Sequence, residues 1–203
     1  MLVKDIGFPP EGVAEVSVIV DSRPAFQWKY CKGGLENISD QGDIYTRDCK
    51  ASETNGVRSA ACLPRGVKVH LGFQLIGTHA CFGVGTKSVE LSADTYCTLY
   101  GQDENSWAIA FGTEIGNSLQ AWHSGKIVEF YRAGAREHPV PPSDIVLAPF
   151  DRTTWFHVSF LLDLDGSFFV WLPGSSDEDA VVVPFQVPKD AEVYVVASTV
   201  FGN

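Results

Sequence analysis

The sequence predicts an all-β protein, an antiparallel sandwich, and three observations carry the prediction. Apolar residues alternate with polar ones along short runs, and nowhere does a 3.6-residue apolar period persist over three turns, so long helices are not expected. The short β-rich runs follow one another closely, the pattern of a sandwich rather than of βαβ units. Glycine (19) and proline (11) punctuate them, about one residue in seven, as a turn-rich chain requires.

Taken in order, the expected strands are Glu15–Val20, Phe26–Tyr30, Val57–Cys62, Val67–Leu75, His79–Gly83, Tyr96–Tyr100, Trp107–Phe111, Leu119–His123, Ala180–Val183 and Val193–Val200. The clearest signal lies between the last four. In Trp155–Leu162 one face carries Phe156, Val158, Phe160 and Leu162, and the other carries Trp155, His157, Ser159 and Leu161. The first face is the core side. Asp163-Leu164-Asp165-Gly166 then separates it from Ser167–Leu172; Asp-Gly between two β-rich runs marks a hairpin, because the turn needs positive φ. Ala133–Pro149, with Pro139, Pro141, Pro142 and Pro149, reads as a long loop, and Ser175–Asp179 as an exposed turn. Residues 1–25 read as an N-terminal leader able to add one strand, and 26–203 as the domain proper.

The chain has 203 residues and a formal charge of −10, enough length for one domain with a sizeable core. Such an acidic surface lacks the footprint of a nucleic-acid binder and is repelled by anionic membranes. Met1–Gly7 shows no signal-peptide pattern, and no apolar stretch approaches the roughly 20 residues of a membrane span. Cysteines 31, 49, 62, 81 and 97 form no C-x-x-C pair, so no zinc site is expected. Buried free thiols in a reducing compartment, cytoplasm or nucleus, are the expected state.

Chemistry-bearing motifs are few. There is no nucleophile elbow, phosphate loop or zinc helix, and Gly83-Val84-Gly85 lacks the third glycine of a dinucleotide fingerprint. Asp163-x-Asp165-Gly166 lacks the closing glutamate of a calcium loop. The histidines 70, 79, 123, 138 and 157 are scattered. A sugar-active sandwich would need paired carboxylates on one strand face; no glutamate here starts an E-x-D-x-x-E pattern. Trp28, Trp107, Trp122, Trp155 and Trp171 could stack on sugars but are expected in the core. Neither a cofactor nor catalysis is expected.

The informative stretch is Gly77-Thr78-His79-Ala80-Cys81-Phe82-Gly83-Val84-Gly85-Thr86, with Tyr96-Cys97-Thr98-Leu99-Tyr100-Gly101-Gln102-Asp103-Glu104-Asn105-Ser106-Trp107 after it. It resembles the SPRY domain of the SPRY-and-SOCS-box family, where G-T-H-A-x-x-G-V-[AG]-T precedes Y-x-x-L-x-G-x-[DN]-x-x-S-W. Trp122-His123-Ser124-Gly125-Lys126 is similar to the family's [YLW]-H-x-G-K strand and turn, and Leu161–Gly166 to its L-D-x-D-x-G hairpin, one residue short. Val195–Gly202 is similar to its closing V-V-S-A-V-W-G, Phe26-Gln27-Trp28 to its Q-W segment, and Asn55-Gly56-Val57-Arg58 to D-G-I-R. The Gln-Trp start, Cys97 and Asp103-Glu104 resemble the branch called member three. The departures are Gly66-Val67-Lys68-Val69-His70 in place of an aromatic-Trp-Glu strand, and Ala108-Ile109-Ala110 in place of Gly-Trp-Asp. The family also continues past the position of Asn203 through a last strand and then the SOCS box. Without that strand the expectation is lower stability or solubility.

The resemblance implies a concanavalin-like jelly roll that binds short Asn-rich peptides, often headed by an acid, in loops at one end of the sandwich. It also implies a substrate adaptor for a cullin-RING ubiquitin ligase, with elongins B and C and a cullin as partners where a SOCS box follows. It puts Arg47 on the family's peptide-binding arginine, Cys49 on a usual proline, and Ala51 and Thr54 on an Ala and a Thr. Tyr96 matches the binding-site tyrosine, Leu99, Gly101 and Gln102 the pocket wall, and Val200, Phe201 and Gly202 the closing Val-Trp-Gly. Phe201 keeps the aromatic contact but lacks the indole N–H, so Cys49 and Phe201 are expected to alter the peptide preference. The alternatives are a stand-alone SPRY scaffold without ligase coupling and a carbohydrate-active sandwich.

Overall fold

A computed structural model describes residues 13–20, 27–31, 38–40, 44–48, 55–74, 79–89, 100–112, 118–132, 156–172, 176 and 178–200. For 13–20, 30, 31, 45–48, 55, 73, 74, 79, 112, 131, 132, 156, 199 and 200 only the backbone is described. The regular elements among these are all strands: β1 (Val13–Val20), β2 (Trp28–Cys31), β3 (Ile44–Asp48), β4 (Asn55–Cys62), β5 (Lys68–Gln74), β6 (His79–Gly85) and β7 (Ser106–Gly112), then β8 (Ser118–His123), β9 (Lys126–Arg132), β10 (Phe156–Leu162), β11 (Ser167–Trp171), β12 (Val181–Gln186) and β13 (Tyr194–Val200).

They build two antiparallel sheets, one of six strands in the order β12-β11-β10-β5-β1-β3 and one of seven in the order β2-β4-β13-β6-β7-β8-β9. The expected sandwich is present. Alternation decides which side chains meet between the sheets. Val158, Phe160 and Leu162 of β10 and Phe168 and Val170 of β11 are buried, as are Phe82 and Val84 of β6 and Ile109 and Phe111 of β7. Aromatic rings cross this interior in a file. Phe111 meets Phe82 edge-on at 5.8 Å, Phe82 stacks with Phe160 at 5.9 Å, Phe160 with Phe168 at 5.0 Å, and Phe168 meets Phe185 at 5.4 Å. Such pairs add about 0.5–1.5 kcal/mol each to the area they bury.

The Asp163–Gly166 hairpin forms as the residue types require. Gly166 has φ 96°, the Asp163 Oδ1 accepts from the Asp165 N–H at 2.7 Å, and the Asp165 Oδ1 from the Ser167 N–H at 3.0 Å. Trp28, Trp107 and Trp122 are buried, which removes three of the five tryptophans from any sugar-stacking platform. Val13–Val20, from the stretch read as a leader, lies inside the six-stranded sheet between β3 and β5.

Some strand expectations need correction. β3 and β9 carry no unbroken apolar alternation (Ile44-Tyr45-Thr46-Arg47-Asp48; Lys126-Ile127-Val128-Glu129), and the pattern did not mark them. Tyr100, the expected end of a strand, sits in a turn, and 96–99 lie outside the described residues. Cys81 is a buried free thiol as expected, but Cys62 is free and exposed. Cys62 is the last residue of β4 and stands opposite Tyr194.

Two turns are tied together by one guanidinium. Arg65, between β4 and β5, donates to the Asp163 carbonyl at 3.2 Å, the Pro188 carbonyl at 2.5 Å and the Ala191 carbonyl at 3.3 Å. Arg65→Ala is therefore expected to lower stability by about 2 kcal/mol in urea unfolding, the scale of charge-assisted bonds to backbone. Arg65→Lys should not restore it, because one ammonium cannot span the three acceptors.

Burial also sets a pH dependence. The Cys81 thiol is fully buried, bonded to Ser198 Oγ at 2.8 Å, and desolvation pushes its pKa from 9.0 to about 11. The folded state then holds a proton that the unfolded chain releases above about pH 9. Stability is unaffected by this group below pH 9 and falls by about 1.4 kcal/mol per unit toward pH 11. Comparing wild type with Cys81→Ala from pH 8 to 11 measures this slope, which the variant should lack.

Candidate functional site

The topology brings several strand ends to one end of the sandwich. β3 ends at Asp48, β4 begins at Asn55, β5 ends at Gln74, β6 begins at His79 and β13 ends at Val200. Val200 faces His79, Thr199 faces Asn55, and Arg47 faces Ala14 one residue beyond the Glu15–Gln74 pair. Only the four residues 75–78 separate Gln74 from His79, a reach of at most about 17 Å across the five steps. The two sheets therefore meet at this end, with Arg47 contributed by the edge strand of one and Val200 by the interior of the other. Cys49, Ala51, Thr54, Tyr96, Leu99, Phe201 and Gly202 lie outside the described residues.

Gly101 and Gln102 are placed elsewhere. They open the turn into β7, against Trp122, which pairs with Ala108 in the row of Gly83. That row is four residues from the row of His79 and Val200, about 13 Å along the strands. Gly101 is buried with φ 90°, and a Cβ there would collide with the Trp122 carbonyl. The close approach that only glycine permits is made to the chain's own β8.

The rest of this turn explains its spacing. Asp103 Oδ1 accepts from the Asn105 N–H at 3.0 Å and from the Ser106 hydroxyl at 2.8 Å. The buried Ser106 Oγ in turn accepts from the Gly101 N–H at 2.7 Å. Gly-x-Asp-x-x-Ser is thus a chain of two bonds, from Gly101 to Ser106 and from Ser106 to Asp103. Trp107 then stacks on His123 at 4.7 Å, and His123 Nδ1 meets the Ser106 carbonyl at 2.9 Å. Ser124 (φ 50°) and Gly125 (φ 71°) turn β8 into β9, the two consecutive positive φ values of a tight hairpin.

Two further residues of the matched motifs have structural work that their spacing did not announce. Tyr100 lies over Gly56, where a Cβ would strike its ring, and its hydroxyl donates to the Val57 carbonyl at 3.2 Å. Arg58 is buried, donates to the Lys87 carbonyl at 2.6 Å and sits 5.1 Å from the Tyr194 ring centre. The signal for Arg58 was an arginine within an otherwise small, apolar strand.

No protein-family model matches the chain. Among curated proteins it is similar to SPRY domain-containing SOCS box protein 2 of Mus musculus, 28% identical over 143 residues, covering 66% of this chain and 50% of that protein. It is equally similar to SPRY domain-containing SOCS box protein 1 of Homo sapiens, 28% identical over 165 residues, covering 79% of this chain and 54% of that protein. The chain spans about half the length of the curated relatives it matches. Among solved structures it is similar to the PSpry domain of TRIM65 (TM-score 0.47, 15% identity, 73% of this chain and 65% of that one). It is also similar to stonustoxin (TM-score 0.47, 16% identity, 89% of this chain and 25% of that one). Among the described residues no helix is long and apolar enough to cross a membrane, and no group of three or more His, Cys, Asp or Glu is placed to hold a metal ion.

Proposed function

We propose that this chain is the substrate-recognition SPRY domain of a SPRY-and-SOCS-box protein, binding short Asn-rich peptide motifs of target proteins for a cullin-RING ubiquitin ligase. The observation that carries the reading is the ordered series of motifs from Gln27-Trp28 to Val200-Phe201-Gly202, together with the 28% identity to two such proteins. Placement supports it, since Arg47 and Val200 belong to strand ends at one end of the sandwich.

The chemistry is that of a polar pocket on a rigid scaffold. Arg47 pairs with a peptide carboxylate or donates to an Asn carbonyl. Tyr96 stacks on the peptide while its hydroxyl bonds to it. Val200, Phe201 and Gly202 close the pocket, with Cys49, Ala51, Thr54 and Leu99 as its walls. An Asn side chain offers one acceptor and two donors, so fixed partners reject residues that leave those groups unpaired. Gly101 and Gln102 act at a distance, by setting the end of the segment that carries Tyr96 and Leu99.

Calorimetry with an acid-headed, Asn-rich peptide tests the reading. Binding is expected, weakened at least tenfold by Arg47→Ala and by Tyr96→Ala while the melting temperature is kept. Absence of heat with any such peptide would sink it. Ligase coupling is tested separately, by capture of elongins B and C on the full-length protein. Peptide binding without that capture would make the protein a SPRY scaffold.

A further inference from the structure

β9 is the last strand of the seven-stranded sheet, and among the described residues nothing pairs with its far side. Its pairing with β8 fixes where its groups point. Ile127 stands opposite Trp122, on the outer face of the sheet, and Val128 opposite Ala121, on the inner one. Both side chains are well exposed, Ile127 at 56% and Val128 at 46%. The backbone beside them is turned outward too. The two-residue turn Ser124-Gly125 makes His123 and Lys126 a hydrogen-bonded pair, so alternation along the ladder makes Trp122 and Ile127 a non-bonded pair. The N–H and C=O of Ile127 therefore point away from β8, in the plane of the sheet.

We propose that β9 takes up an extended segment of a partner protein as an added strand along Lys126–Glu129, a segment with apolar residues on both of its faces. Geometry decides the occupant. Ile127 and Val128 point to opposite faces, and the outward donor and acceptor of Ile127 lie between them. A ligand resting on either face would reach one side chain and neither backbone group. A strand alongside β9 reaches them all: its backbone bonds to Ile127, and its alternate side chains cover Ile127 on one face and Val128 on the other. The composition of β9 suits such pairing. Lys126–Arg132 holds neither proline nor glycine, and its register is regular from Lys126 to Glu129, shifting only between Glu129 and Tyr131. By contrast β12, an end strand of the other sheet, carries Pro184, which has no N–H to give.

Size and symmetry argue for a partner segment rather than a second copy. The regular part of the edge is about 14 Å long and about 10 Å thick with its side chains. That is on the order of 150 Å², against about 800 Å² per partner in a standard interface. In a two-fold pairing of β9 with its copy, facing residues come from the same side of the sheet. Lys126 and Glu129 lie on opposite sides, so no register sets one against the other. The edge is also separate from the peptide-binding end: β6, β7 and β8 lie between β9 and the β13 strand that carries Val200.

The test places a proline where the ladder needs no N–H. Ile127→Pro removes the outward donor and leaves the β8–β9 bonds in place. A random twelve-residue peptide library displayed on phage is depleted on Ile127→Pro and then selected on the full chain. Enriched peptides are synthesised and measured by calorimetry, each variant being checked for an unchanged far-ultraviolet spectrum. Peptides with neighbouring apolar residues are expected, bound at least tenfold more weakly by Ile127→Pro and by Val128→Lys, and equally well by Arg47→Ala. Bound peptide should also slow hydrogen exchange of the Ile127 amide at least tenfold. Failure to enrich any peptide, or peptides that leave this amide exchanging as before, would overturn the proposal. So would sedimentation showing a wild-type dimer that Val128→Lys dissociates. If Ile127→Pro fails to fold, depletion on Val128→Lys, a change at an exposed side chain, and exchange of the wild-type Ile127 amide keep the test decisive.

Discussion

Phe160→Ala is expected to cost about 3–5 kcal/mol of stability, the range for a buried Phe truncated to Ala. The ring is fully buried, stacks on Phe168 of its own sheet at 5.0 Å and on Phe82 of the facing sheet at 5.9 Å. It is the link by which the aromatic file passes from one sheet to the other. Removing it leaves a cavity bounded by two rigid rings on strands that are hydrogen-bonded on both sides, so the site collapses poorly. Urea unfolding measures the cost. Phe160→Leu, which refills part of the volume, should recover about half of it. A loss below about 1 kcal/mol would mean that the sheets do not pack through this ring.

Gly101→Ala should be nearly as severe, for a different reason. A side chain at φ 90° carries about 1–3 kcal/mol of backbone strain, and its Cβ would collide with the Trp122 carbonyl. Backbone cannot swing aside as a flexible side chain can. Moving β8 would also disturb the stack of His123 on Trp107 and the Ser106 bond to the Gly101 N–H. A loss of about 3 kcal/mol or more follows, with exposed Gln102→Ala as the near-neutral control. The pair separates two roles for this turn. Destabilisation with peptide affinity kept in the folded fraction assigns Gly101 to the scaffold, whereas unchanged stability with lost affinity assigns it to the pocket.

The sandwich was legible because its strands alternate cleanly where one face is buried. Val158, Phe160 and Leu162 read as a core face and are one. β3 and β9 were not legible, because neither carries an unbroken apolar alternation: Lys126–Glu129 of β9 are exposed throughout, so tertiary position rather than alternation decides these strands. The Asp163–Gly166 turn was legible because Asp and Gly each have a mechanism there. The Gly-x-Asp-x-x-Ser spacing is legible as a family signature, but not the bonds by which its Gly101, Asp103 and Ser106 shape the turn into β7. The outward edge of β9 was hidden in the sequence, since the direction of the Ile127 N–H and C=O follows only from the pairing with β8.

The most direct test of the central claim is to map a bound peptide on the chain by amide chemical shifts. The uniformly 15N-labelled protein is titrated with an Asn-rich peptide carrying an acidic residue at its head. The account predicts saturable shifts at Arg47, Asn55, His79 and Val200, at the end where the two sheets meet. It predicts none at Ser124 and Gly125 in the β8–β9 hairpin or at Asp163–Gly166. Shifts centred on those opposite turns, or no saturable shift at millimolar peptide, would contradict it.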